Sequence, residues 1–294
     1  MRRRVEWTDP VSVGAFAVSC ALMEDRAEMD AATSSLGGYA DANSVCTVRA
    51  REALVVAGWF LLEEVFSRLA EGSGCEAVKT SQLVPEGTEA GGGEAVGIVE
   101  GPAGLILRGE RVALNMMCRL SGIASLTRQY VLAVKGTGVE VLDTRKTTPC
   151  LRALEKYAVR MGGGVNHRSN LAELAMIKDN HLAVAGGADR LGKMMERLRR
   201  MDVPVEIEVD DMGQLEAVLR ERPGRILLDN MEPEELEEAV ALSSGSGIYL
   251  EASGGITLGN VRRVAETGVD GISSGALTHS SPWSDIGFDW GRMV

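Results

Sequence analysis

From Val139 onward the chain is cut into short apolar runs: Val139–Leu142, Ala175–Ile177, Val205–Val209, Ile226–Leu228, Ile248–Leu250 and Gly271–Ser273. Such runs suit buried strands and are too short for helices. Several are followed by amphipathic segments, and strand alternating with helix predicts parallel β/α units. About six strands are legible, fewer than the eight of a full barrel. The expected architecture is therefore an incomplete α/β barrel of about six or seven strands.

The first third has a different texture. Apolar spacing predicts a helix over Val11–Met23, a loop over the acidic stretch Glu24–Asp30, a strand at Val45–Ala50 and a helix over Arg51–Leu69. Two β-rich runs, Cys75–Val84 and Ala95–Leu107, flank the glycine-rich loop Glu86–Glu94, and GPAG interrupts the second as a hairpin would. Helices are expected across Glu110–Val134. A small α/β layer thus precedes the barrel.

A length of 294 residues allows one or two domains, and 45% hydrophobic residues provide a core. The net charge of −11 opposes non-specific attraction to nucleic acid or to anionic membrane. Cys20, Cys46, Cys75, Cys118 and Cys150 form no CxxC pair and read as reduced thiols of a cytoplasmic protein. No stretch approaches eighteen apolar residues, and MRRRVEW is not followed by the apolar core of a signal peptide.

In a β/α barrel the residues just past the strands converge on one mouth. Here these are Asp143, Arg145 and Lys146; Lys178 and Asp179; Glu208; Asp229 and Asn230; Glu251 and Ser253; Ser274 and Gly275. Between the first two runs, a helix over Leu151–Met161 is expected to stop at three glycines and release His167 and Arg168. Arg145, Lys146, His167, Arg168 and Lys178 gathered in one pocket would repel one another unless an anion compensated them. The arginine fork suits carboxylate and the compact lysine charge suits phosphate, so the mixture points to a ligand or ligands carrying both. LEASGGIT, with a helix expected near Thr257, and SSGALTH each offer a glycine turn suited to a phosphate. Glu208 and Asp229 could hold Mg²⁺ bridging a pyrophosphate, or stabilise a ribosyl cation.

Each feature alone also has an ordinary structural explanation. Arg145 and Lys146 could be surface ion pairs, Ser253 and Gly254 a tight turn, and Glu208 and Asp229 rim carboxylates. His181 reads as a structural hydrogen-bonding residue. The joint placement of cations, acids and glycine turns at successive strand ends is far more specific than any one of them.

DTRKTTP, GGGVNHR, MIKDNH, ERVALN, LLDNM and LEASGGIT, spread over nearly the whole chain, resemble the nicotinate-nucleotide pyrophosphorylase family, that is, quinolinate phosphoribosyltransferase. The resemblance implies an open-sandwich domain over residues 1–115, joined by the carboxyl end (about 281–294), and a barrel domain over 116–280. It implies transfer of a phosphoribosyl group from phosphoribosyl pyrophosphate to quinolinate with loss of CO₂, assisted by Mg²⁺. It also implies a homodimer with shared active sites, open to higher assembly. By that likeness Arg145, His167, Arg168 and Lys178 bind the quinolinate carboxylates, with Arg111 reaching in from a second subunit. Lys146, Glu208 and Asp229 serve catalysis, the two acids also as metal ligands, and Ser253, Gly254, Gly275 and His279 surround the 5′-phosphate. The sequence departs from the pattern at Cys150, where glycine is usual after TTP, and in EDRAEMDAAT, which lacks the usual Gly-Asp after ED. Two rival readings use the same residues: a paralogue related to molybdenum-utilisation proteins acting on another acceptor, and a non-catalytic binder of phosphorylated metabolites.

Overall fold

The computed structural model describes residues 5–73 and 77–291. Cys75, and with it the start of the expected run Cys75–Val84, lies outside the described residues. The chain divides into two compact units, residues 1–128 with 147–163 and 280–294, and residues 129–146 with 164–279.

The first unit is built on an antiparallel sheet. Its strands are β1 (Asn43–Ala50), β3 (Lys79–Gln82), β5 (Ala95–Pro102) and the carboxyl-terminal strand Ile286–Trp290, with β1 central between the last two and β3 beyond β5. A separate pair joins β2 (Leu54–Val55) to β4 (Glu89–Ala90). The helix Pro10–Glu24 starts at Asp9, whose carboxylate accepts the Val11 and Ser12 amides, with proline at the first position. Leu61, Leu62, Val65 and Phe66 of the helix Trp59–Ser73 are almost fully buried. Burying each such side chain stabilises the fold by roughly 1.5–3 kcal/mol.

Two expectations fail in this unit. The helix anticipated from Arg51 begins only at Trp59, because Gly58 turns the backbone left-handed (φ +98°) and lies against Met117 and Leu120. The hairpin expected at GPAG is absent. Instead β5 ends at Pro102, and a 31-residue helix, Ala103–Ala133, starts at once and runs through residue 115. That helix is amphipathic rather than uniformly apolar, and no described helix is long and apolar enough to cross a membrane.

The second unit carries six parallel strands: β6 (Glu140–Leu142), β7 (Ala175–Ile177), β8 (Val205–Val209), β9 (Arg225–Asp229), β10 (Tyr249–Ser253) and β11 (Gly271–Ser273). Their order, β6-β11-β10-β9-β8-β7, is that of an incomplete barrel in which β11 returns to β6 while β6 and β7 stay unpaired with each other. A single parallel bridge from Leu142 to Val165 lies in that interval.

Because strand side chains alternate, register assigns each residue to a face. Ile207, Ile226, Leu228, Leu250, Ala252 and Ile272 share one face and are buried. The other face is polar. Glu206 pairs with Arg225 and Glu208 with Leu227, while Tyr249, Glu251 and Ser253 align with Arg225, Leu227 and Asp229. Polar side chains therefore line the same face of several strands and continue to their carboxyl ends.

Candidate active site

At those carboxyl ends lies a cavity of about 410 Å³, formed wholly within the second unit. Its wall contains Arg145, Lys146, His167, Arg168 and Lys178 together with Glu208, Asp229 and Glu251, and Ser253 and Ser273 also line it. The β/α pattern explains the convergence: each of these side chains leaves the polar face near the end of a strand or the loop just after it.

Within the cavity, the Lys178 ammonium is bonded to the Glu208 carboxylate. Asp229 accepts a hydrogen bond from the Asn230 side-chain amide, Nδ2, at 2.8 Å. Its pKa is raised because desolvation outweighs the attraction of Lys178 and Lys146, and Asp210 adds repulsion. Arg168 is pulled the other way from its usual value by desolvation and by the charge of Arg145. A bound dianion would attract both cations and so offset their mutual repulsion.

The loop carrying His167 and Arg168 is tied down locally. The buried Asp143 carboxylate accepts the His167 amide at 2.9 Å, and His167 Nδ1 accepts the Arg168 amide at 2.7 Å. Arg168 Nη1 donates to the Leu174 carbonyl at 2.8 Å. With Nδ1 an acceptor, the ring proton sits on Nε2, which lies 2.9 Å from Glu206 and 3.4 Å from Glu251. Desolvation opposes charging the ring, but the two carboxylates prevail and lift its pKa to about 9. A second proton on Nδ1 then requires the Arg168 amide contact to yield.

The glycine turns are built by close approach. Gly254 has φ +90°, and a Cβ there would fall 2.2 Å from Asn230 Oδ1. Asn230, itself left-handed at φ 55°, donates its amide to the Ser253 carbonyl at 2.8 Å. A Cβ on Gly275 would meet Lys146 at 2.8 Å and His279 at 3.0 Å, so this glycine lets both side chains come near. The helix expected near Thr257 starts only at Val261 and has five residues, because Asn260 first closes a turn by accepting the Thr257 amide at 2.8 Å. Any phosphate contact at this turn must therefore come from backbone and hydroxyl groups rather than from a helix dipole. The helix after Gly275 has four residues, Ala276–His279.

Ser253 lines the cavity, while Gly254 follows it in the turn, and Gly275 and exposed His279 adjoin Lys146. Arg111 belongs to the first unit, where it is exposed on the helix Ala103–Ala133 and lines, with Arg26 and Arg108, a separate cavity of about 390 Å³. His181 accepts the Lys178 amide at 3.1 Å, the structural role expected of it.

Sequence reading missed Thr144, Met176, Leu227 and Ser273 of the wall, and below it Glu206, Arg225 and Tyr249. The alternation of VEIEV and YLEAS carried the signal for Glu206 and Tyr249, and the charged ends of RILLD carried it for Arg225.

Glu208 and Asp229 suit Mg²⁺, which keeps several waters and takes one or two carboxylates together with substrate phosphates. Donor atoms of His167, Glu206 and Glu251 lie within 4.8 Å of one another. There the Arg225 guanidinium already supplies the positive charge, 2.6 Å from Glu251 and 3.5 Å from Glu206.

Comparison with known proteins gives consistent matches over both units. Residues 30–121 match the family model "Quinolinate phosphoribosyl transferase, N-terminal domain", and residues 123–289 match its C-terminal counterpart. The "Nicotinate-nucleotide pyrophosphorylase [carboxylating]" of Mycobacterium leprae is 43% identical over 81% of this chain and 84% of its own length. A "Probable nicotinate-nucleotide pyrophosphorylase [carboxylating]" of Bacillus subtilis is 38% identical over 91% and 90%. The crystal structure of the nicotinate-nucleotide pyrophosphorylase from Ehrlichia chaffeensis superposes with a TM-score of 0.85 at 39% identity, covering 93% of this chain and 97% of that one.

Proposed function

The chain belongs to the quinolinate phosphoribosyl transferase family, and from that premise we propose how its pocket carries out the reaction. It transfers the phosphoribosyl group of phosphoribosyl pyrophosphate to quinolinate with decarboxylation, yielding nicotinate mononucleotide, pyrophosphate and CO₂ in NAD synthesis. The observation that carries the residue assignment is the cavity whose wall brings four Arg and Lys side chains together with the carboxylates of Glu208, Asp229 and Glu251.

Arg145, Arg168 and Lys178 bind the two quinolinate carboxylates, His167 lies at the floor beside them, and Arg111 of a second subunit completes this end. The active form is accordingly a homodimer. Ser253, Gly254, Gly275 and His279 receive the 5′-phosphate. Lys146, held next to Gly275, neutralises charge on the departing pyrophosphate. Glu208 and Asp229 would hold Mg²⁺, which supplies charge neutralisation to the pyrophosphate when bound. The same two carboxylates would offset the positive charge that develops on ribose C1 as its bond to pyrophosphate breaks.

The pyridine nitrogen then forms the new bond to C1 and becomes cationic. That cation stabilises the electron pair left on C2 as an ylide when the adjacent carboxylate departs as CO₂, and this pair then takes up a proton on C2. The protein's part is orientation and charge stabilisation. Reading the cysteines as reduced thiols supports a cytoplasmic site of action.

Paired substitutions test the division of the pocket. Arg145→Ala is expected to lower kcat/KM for quinolinate by about 100-fold or more while phosphoribosyl pyrophosphate still binds. Lys146→Ala should instead weaken the donor side, raising the KM for phosphoribosyl pyrophosphate or lowering kcat. Full turnover in Arg145→Ala would overturn its assignment.

A further inference from the structure

Below the pocket the polar face of the sheet continues as a connected column of charge that the reaction itself does not use. It starts at Glu140 at the beginning of β6, whose carboxylate accepts the Tyr249 hydroxyl at 2.8 Å. The Arg225 guanidinium lies over the Tyr249 ring, 4.1 Å from its centroid, and bonds to Glu251 at 2.6 Å. Glu206 and Glu251 are both fully buried, and both reach the Nε2 edge of His167. Gly271 makes room for the column, since a Cβ there would fall 2.2 Å from the Tyr249 hydroxyl.

Two fully buried carboxylates are expensive unless compensated. Arg225 alone compensates one charge, so the second carboxylate depends on the proton of His167 and on neutral donors such as the Ser273 hydroxyl, which helps hold Glu251 ionised. The imidazole is thus gripped from below by Glu206 of β8 and Glu251 of β10, while its Nδ1 edge and backbone amide hold Arg168 and Asp143.

We propose that Arg225, Glu206 and Glu251 are positioning residues for the quinolinate end of the pocket: they fix the Nε2 edge of His167 and thereby the His167–Arg168 segment that reads the substrate carboxylates. This rests on the functional reading of the pocket above. Arg225 and Glu206 do not line the cavity, whereas Glu251 does and takes its role through its contact with His167. The charged groups facing His167 are Glu206, Glu251, Asp143 and, through the carboxylates, Arg225, with Arg168 adjacent in the chain.

The chain has three histidines, so a histidine-selective NMR titration of the full-length protein resolves His167 against exposed His181 and His279. In the wild type His167 is expected to titrate well above the ordinary histidine value, near 9. Glu251→Gln should lower its midpoint by about 1–3 pH units, as loss of a neighbouring opposite charge does. The same variant should raise the quinolinate KM about tenfold while the KM for phosphoribosyl pyrophosphate changes little. Should Glu251→Gln fail to fold, Glu206→Gln tests the other carboxylate with the same expectations. An unmoved His167 midpoint in a folded variant, or equal rises in both KM values, would overturn the proposal and leave the column a purely structural device. If the wild type itself fails to turn over quinolinate, the functional reading falls, whereas the titration still judges whether the column controls His167.

Discussion

His167 shows how one residue's chemistry is set by neighbours far away in sequence. Its pKa of about 9 lies above the ~6.5 of an unfolded histidine, so folding takes up a proton. The stability this provides is fully present below pH ~6.5 and is lost as pH rises through about 9. Thermal denaturation should therefore show a melting temperature that declines over this window, and His167→Asn should flatten the decline; superimposable pH profiles would contradict it. At this scale the sequence was a good guide to the rim and a poor one to the interior. Arg145, Lys178, Glu208 and Asp229 stand out because each interrupts apolar sequence at a strand end. Arg225 stands just outside the run Ile226–Leu228, and Glu206 lies inside Val205–Val209, where only the alternation of VEIEV shows that one face is ionic.

Among elements, the parallel strands were legible because a βα repeat needs a short apolar run at each return to the sheet, and all six anticipated runs overlap a strand. The antiparallel unit was harder, since its helix starts are decided by tertiary partners. Glu86 accepts the Gly58 and Trp59 amides at the start of the helix Trp59–Ser73 and the Tyr157 hydroxyl with its other oxygen. No local spacing announces a cap supplied from 27 residues away. Glu86→Ala should destabilise the fold by about 2 kcal/mol or more, through lost capping and unpaired donors, as read by urea denaturation. The LEASGGIT turn makes a matching case. Gly254→Ala introduces strain of about 1–3 kcal/mol at a positive φ and drives a methyl into Asn230. Its effect should appear chiefly as a raised KM for phosphoribosyl pyrophosphate, and an unchanged value would remove this turn from the phosphate site.

For the molecule as a whole, the net charge of −11 makes the concentration of cations in one cavity a functional statement rather than a by-product of composition. Arg111, on the first unit, extends that statement to the assembly. If each site draws Arg145 from one chain and Arg111 from another, then Arg111→Ala and Arg145→Ala homodimers are both inactive. Refolding them together as an equal mixture should restore about a quarter of wild-type activity, because half the dimers are mixed and each mixed dimer has one intact site. No recovery on mixing would place both arginines in the same chain's site. The central claim is tested most directly by incubating the wild-type protein with carboxyl-labelled quinolinate, phosphoribosyl pyrophosphate and Mg²⁺ and measuring released CO₂ against nicotinate mononucleotide formed. The predicted result is a one-to-one release that requires all three additions, whereas turnover of nicotinate without any CO₂ from quinolinate would contradict it.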